Sequence, residues 1–246
     1  MSACEIAIER KQYADALVLQ DVHLTITPGS FTALVGPSGA GKSTLLNIIS
    51  GLDRDFCGRL AWSGGRPCSI GYVFQEPRLM PWLSVQRNIE LVLPGGHDED
   101  GVVAPLLARV GLADRAHAFP GELSGGMQRR VALARAMAIE PDLLLLDEPF
   151  CSLDEPTADS LRCLLLELWR EQGNAVLLVT HNLREALALA DQVLFLSRDP
   201  ARIVLREQIG DGDDDPDGRD PDALLRRLLA RHPGILSGIA NVDRAG

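Results

Sequence analysis

The sequence predicts an α/β fold built on a mainly parallel sheet, and three observations carry that prediction. FTALVG (31–36), DLLLLD (142–147) and AVLLVTH (175–181) are continuous apolar runs of strand length, suited to strands that helices cover on both faces. Segments with helical spacing of leucine, isoleucine and alanine lie between them. Each run ends in residues able to do chemistry: a glycine loop, the pair Asp147-Glu148, and His181. Ligands of open α/β sheets bind at the carboxyl ends of the strands, so these ends are expected to serve one site.

The elements follow in order. CEIAIE and DVHLTIT alternate apolar and polar residues, as strands with one wet face do, so an N-terminal antiparallel β subdomain is expected. PGS turns the chain into the first buried strand. KSTLLNIISGL then reads as a helix. Residues 75–125 are rich in Pro and Gly and include LVLPGGHDEDG, which suggests a mostly helical subdomain with loops over about 76–138, entered by the helix MQRRVALARAMAI at its end. TADSLRCLLLELWREQG is a helix that Gly173 stops. One large domain over 1–210 is therefore expected, followed by an acidic linker over 211–222 and a helical tail over 223–246. GDGDDDPDGRDPD joins like charges to turn formers and lacks the closing glutamate of a calcium loop, hence the linker. The leucine spacing of ALLRRLLARHPGIL gives the tail helix.

The chain of 246 residues is long enough to bury a substantial core. Its net charge of -10 weighs against a nucleic-acid partner, which needs a clustered basic face. Five cysteines, scattered and without CxxC spacing, read as reduced thiols. MSACEIAIERKQ alternates instead of offering the apolar core of a signal peptide, and no run has bilayer-spanning length. A cytoplasmic protein is expected, touching a membrane only through a partner.

The stretch Gly36-Pro37-Ser38-Gly39-Ala40-Gly41-Lys42-Ser43 fits GxxxxGK[ST], the phosphate-binding loop. Glycines let successive amides turn inward as an anion nest at the start of a helix, whose dipole adds positive potential. Lys42 reaches the β and γ phosphates in this reading, Ser43 ligates Mg²⁺, and Thr44 carries the helix on. Asp147 supplies the carboxylate of the Mg²⁺ shell, and Glu148 is placed to take a proton from a water attacking the γ phosphate. His181 has the competing reading of a hydrogen-bonded capping histidine. ELSGGMQRR repeats the device: Ser124 caps a helix beginning near Gly126, and Gly125 and Gly126 bare their amides to an anion. One nucleotide has no obvious need of two helix ends at its γ phosphate. Head-to-tail pairing of two copies, each presenting this turn to the other's nucleotide, uses both.

GPSGAGKST, Gln75 in YVFQEPRLMPW, LSGGMQRR, LLLLDEP, SLD at 152–154 and THN at 180–182 form an ordered set. Together they resemble the ATP-binding subunit of an ABC transporter over roughly residues 5–205. The resemblance implies a P-loop NTPase core that binds ATP and Mg²⁺ and hydrolyses ATP. Gln75 would sense the γ phosphate and join the metal shell, Glu148 would be the catalytic base and His181 the switch histidine. Ser124 to Gln128 would be the signature, Asp154 part of the loop that links two copies, and Tyr13 the aromatic that stacks on adenine. QEPRLMPWLSVQRNI and SRDPARIV resemble importers of the nitrate, sulfonate and taurine group, with Ala201 replacing a glycine of that pattern. By the same resemblance, Glu76–Trp82 would receive a membrane permease, a solute-binding protein would complete the system, and two copies would form a homodimer on the cytoplasmic face of the membrane. The rival reading is a soluble ABC ATPase acting on nucleic acid or ribosomes; such chains carry two nucleotide domains or long coiled coils, and neither is visible in the sequence.

Overall fold

The computed structural model describes residues 4–14, 16–62, 68–209 and 220–235. In chain order the strands are β1 (Cys4–Tyr13), β2 (Ala16–Ile26), β3 (Phe31–Val35), β4 (Cys57–Trp62), β5 (Ile70–Val73), β6 (Leu143–Asp147), β7 (Ala175–Thr180), β8 (Gln192–Leu196) and β9 (Ile203–Gln208). The α-helices are α1 (Lys42–Ile49), α2 (Val85–Glu90), α3 (Val103–Arg109), α4 (Gly125–Met137), α5 (Glu155–Gln172), α6 (Leu183–Leu189) and α7 (Pro221–Arg231). They fall into two compact units, one over Cys68–Asn174 and one from the described residues on either side of it.

In the flanking unit, β1 lies between β2 and β4 in an antiparallel sheet, with Ile6 opposite both Leu24 and Leu60. Cys4, Ile6 and Ile8 face inward and Glu5 and Glu9 outward, the alternation read from the sequence. The second sheet of this unit places β3 between β7 and β8, parallel to both, and β9 closes it antiparallel. Every residue of β3 and β7 is buried, which is why those strands are apolar without alternation.

In the other unit β5 pairs in parallel with β6, and α4 packs on β5 so closely that a Cβ at Gly71 would lie 2.5 Å from the Ala136 carbonyl oxygen. Helices α2 and α3 lie within the Pro- and Gly-rich stretch and α4 begins at its end. Asn88, fully buried on α2, donates to the carbonyls of Met80, Leu83 and Ser84 and accepts from the Met80 amide, so it fixes the irregular segment 80–84. The predicted helix 157–173 begins at Glu155, where Asp154 caps it and Pro156 fits its first turn.

Residues 211–219 of the stretch expected as an acidic linker, and the whole of the tail beyond 235, lie outside the described residues. The tail helix starts at Pro221, inside the boundary drawn for the linker, because Asp220 accepts a hydrogen bond from the Asp222 amide and so caps it. That helix packs against α6, where Arg184 bonds Asp222, and Arg231 lies 3.4 Å from Glu207.

Candidate functional site

The glycine loop leaves β3 after Val35 and enters α1 at Lys42. Gly41 is in the left-handed region at φ 76°, and a Cβ there would sit 2.8 Å from Val18 Cγ1 and 2.9 Å from Leu19 Cδ2, so both dihedral and space demand glycine. Gly39 is also left-handed, at φ 78°, but open on all sides. A Cβ at Gly36 would press on Leu196 at 3.0 Å. No side chain caps α1 and no acidic residue stands in its first turn, so the amides and positive dipole end of the helix face no competing carboxylate of their own. Lys42 folds back over the loop, its Nζ donating to the carbonyls of Gly36 at 2.8 Å and Pro37 at 3.0 Å. Arg198, which sequence reasoning passed over, braces the tip by donating to the Ser38 carbonyl at 2.8 Å.

Val35 and Thr180 are partners in the β3–β7 register, so the loop and His181 leave adjacent strand ends. His181 is exposed on a tight turn: Thr180 Oγ1 accepts from the Asn182 amide and donates to Glu185, while Asn182 caps α6. At the end of β1, Tyr13 is held on two sides. Its hydroxyl donates to Asp53 at 2.7 Å, and the Lys11 ammonium lies 4.4 Å from its ring centroid. Lys11 is buried and ion-paired with Asp53 at 3.0 Å. Burial works against the charge on both, yet hydrogen bonding and charge raise the Lys11 pKa, and the bonds from Tyr13 and Lys11 lower that of Asp53. Burial and the bond to Asp53 push the Tyr13 phenol up.

In the unit over Cys68–Asn174, Val73 and Leu146 are register partners, so Gln75 and the pair Asp147-Glu148 also follow adjacent strand ends. Asp147 is buried, and its charge adds to burial in pushing the Tyr72 phenol up. Glu148 sits at φ 45°, a left-handed turn that carries the chain off the strand end. Gln75 is exposed, with its amide 4.0 Å from Cys151 Sγ. Ser43 and Asp147 are hard oxygen donors of the kind Mg²⁺ takes. Among the described residues no group of three or more His, Cys, Asp or Glu could hold a metal.

Ser124 caps α4, accepting from the Met127 amide at 3.3 Å, so the helix starts at Gly125, one residue before the expected position. Around Gly125 a Cβ would meet nothing within 4 Å, whereas at Gly126 it would lie 2.5 Å from Thr157 Cγ2. Gln128 turns inward, its amide donating to the carbonyls of Pro120 and Leu123, and so supports the turn before Ser124. Asp154 accepts from the Thr157 amide and hydroxyl, bonds that lower its pKa.

The segment Glu76–Trp82 has no regular secondary structure and borders a groove of about 380 Å³ lined by Tyr72, Phe74, Met80, Leu91 and Val92, with Arg78 stacked over Phe74. Trp82, two residues beyond Met80 in the chain, is 70% exposed.

A mainly parallel sheet in which a buried strand runs through a glycine loop of the GxxxxGK[ST] pattern into a helix is the fold of a P-loop NTPase. The chain belongs to the ABC transporter family, whose profile matches residues 19–151. Aliphatic sulfonates import ATP-binding protein SsuB 2 of Burkholderia cenocepacia (strain HI2424) is 44% identical over 227 residues, covering 91% of this chain and 84% of that protein. The protein called SsuB 1 in Streptomyces avermitilis is 51% identical over 179 residues, 73% of this chain and 67% of its own length. Among solved structures, the dimeric structure of MJ0796, a bacterial ABC transporter cassette, is similar with a TM-score of 0.72 at 30% identity, covering 85% of this chain and 99% of that one. A dimeric post-hydrolysis state of the same cassette, bound to ADP and Pi, is equally similar.

Proposed function

We propose that this chain is the ATP-binding and hydrolysing subunit of an ABC importer and that it powers uptake of an organic sulfonate. The observation that carries the reading is the pair of glycine-bearing helix starts: the loop at Gly36–Lys42, shaped for phosphate, and the turn at Ser124–Gly126, where a Cβ at Gly125 would meet nothing within 4 Å among the described residues. The backbone N–H groups of the loop Gly36–Gly41, which Pro37 alone lacks, cradle the phosphates, Lys42 neutralises β and γ oxygens, and Thr44 continues the helix behind them. Tyr13 offers the ring face opposite Lys11 to adenine. Ser43, Gln75 and Asp147 would supply oxygen ligands to Mg²⁺, and the ion would supply positive charge beside the phosphate oxygens. Glu148 takes the proton of the attacking water and His181 orients the γ phosphate. Ser124, Gly125 and Gly126 grip the nucleotide bound to a second copy, with Gln128 supporting the turn and Asp154 fixing the crossing segment. ATP thus favours a closed homodimer and ADP, lacking the γ phosphate, releases it.

The sulfonate assignment rests on the names of the relatives, and the groove at Glu76–Trp82 supports permease docking from the cytoplasmic side; no helix among the described residues is long and apolar enough to cross a membrane. A solute-binding protein outside the membrane completes the system. Residues 1–210 form the nucleotide-binding domain in this reading, and the acidic stretch joins it to the tail. The test is Mg-ATP turnover by the purified chain and its Lys42→Ala variant, with growth on an aliphatic sulfonate as sole sulfur source as the cellular readout. Loss of both in the variant is expected; wild-type turnover in Lys42→Ala would overturn the assignment.

A further inference from the structure

Helix α4 carries, one turn beyond Ser124–Gly126, an arginine that the family resemblance gave no role. The Arg129 guanidinium donates through Nη1 to the carbonyl oxygens of Gln75 at 3.0 Å and Pro149 at 2.9 Å, and through Nη2 to that of Cys151 at 2.5 Å. One side chain therefore joins the segment that follows β5 to the segment that follows β6. Its neighbours Val73, Leu133, Leu146, Pro149 and Phe150 form an apolar wall around a small cavity, so the fork is only half-exposed and burial presses its pKa down. An arginine stays charged through such a shift, and a planar fork aimed at fixed acceptors makes a stiff link. No carboxylate neutralises it in this cluster among the bonds just named. The three acceptors are all main-chain oxygens, and two belong to Gln75 and to the residue after Glu148.

We infer that Arg129 is a positioning residue that passes the state of the signature turn to Gln75 and Glu148 of the same subunit. This rests on the reading above, in which Ser124–Gly126 grip the nucleotide of the second copy. A pull on the first turn of α4 displaces a rigid helix of thirteen residues, and Arg129 then either carries the peptides of Gln75 and Pro149 along or loses its bonds to them. Binding at one site thereby sets the geometry of hydrolysis at the other. Arg135, further along α4, holds Pro77 and Arg78 by the same kind of bond, so the segment from 75 to 78 follows the helix as a unit.

The test compares wild-type, Arg129→Lys and Arg129→Ala by ATPase rate against ATP concentration, by affinity for a fluorescent ATP analogue, and by thermal melting. Lysine keeps the charge but not the fork and is the variant expected to stay folded if alanine does not. We expect kcat to fall at least tenfold, ATP-analogue affinity to stay within threefold, and the Hill coefficient to drop from above 1 in the wild-type chain to 1. Wild-type kcat and Hill coefficient in either folded variant would overturn the inference, as would a wild-type coefficient of 1. Absence of ATP turnover in the wild-type chain is a different result, because it overturns the ATPase reading on which the inference stands.

Discussion

Replacing Gly125 by alanine separates folding from function more cleanly than any other change at this site. The backbone there is not left-handed, and a Cβ would meet no atom within 4 Å, so the chain has no internal reason for glycine. Alanine in a helix is favoured over glycine by up to about 1 kcal/mol, less at a first-turn position, so Tm should rise by roughly 0–3 °C. In the proposed dimer, however, the new methyl stands where a phosphate oxygen of the other copy's nucleotide accepts from the helix amides. A charge-assisted hydrogen bond contributes about 1.5–3 kcal/mol, so its loss lowers turnover by roughly 10- to 150-fold. Differential scanning calorimetry and a coupled ATPase assay on the same preparation measure both quantities. Wild-type turnover in a fully folded Gly125→Ala chain would refute the idea that this turn faces a ligand. Gly126→Ala provides the contrast: its Cβ would strike Thr157, whose hydroxyl is held by Asp154, so this variant should lose stability as well as activity.

Three further outcomes are expected. Asp53→Asn removes the charge that holds Lys11 and weakens the anchor of the Tyr13 hydroxyl, so affinity for ATP should fall several-fold while kcat at saturation changes little, measured by nucleotide titration. Asp53 has a lowered pKa in the folded chain, so its contribution to stability is present above the ordinary carboxylate value and is lost as pH falls through the folded value; Lys11, with a raised pKa, contributes below its ordinary value of 10.5 and loses that contribution as pH rises through the folded one. A flatter acid limb in melting experiments on Asp53→Asn checks the sign. Asn88→Ala strips four hydrogen bonds from a fully buried site and leaves main-chain groups of Met80 and Leu83 without their partner, a loss of about 3 kcal/mol or roughly 6–12 °C in Tm. Met80→Asp places a charge in the groove proposed to receive the permease, and should abolish sulfonate uptake in cells while leaving the ATPase rate of the isolated subunit within twofold.

Much of this was legible in the residues because the relevant physics is local. Buried parallel strands cannot alternate, so β3, β6 and β7 showed as unbroken apolar runs, and a phosphate loop needs its glycines and lysine within one short turn. The cap at Ser124 and the stop at Gly173 are likewise short-range signals. Strand β5 escaped notice because IGYV is only four residues long, and β9 because its residues IVLREQ lie on an edge with little burial. The supports of the site were hidden for another reason. Arg129, Arg198 and Asn88 act by donating to main-chain carbonyls, and a carbonyl leaves no mark in a sequence. Lys11 and Tyr13 meet Asp53 across some forty residues, a contact that only the folded sheet reveals. Ala201, where a glycine was expected from resemblance, is buried and exchanges backbone bonds with Val18 and Gln20, so its small side chain is accommodated within the sheet edge.

The central claim is that one nucleotide is gripped by two copies of this chain. Light scattering coupled to size-exclusion chromatography tests it on the Glu148→Gln variant, which should bind Mg-ATP without consuming it. The account predicts twice the 26.6 kDa chain mass with Mg-ATP and a single chain mass with ADP. A single chain mass at saturating Mg-ATP, with the nucleotide shown to be bound, would contradict it.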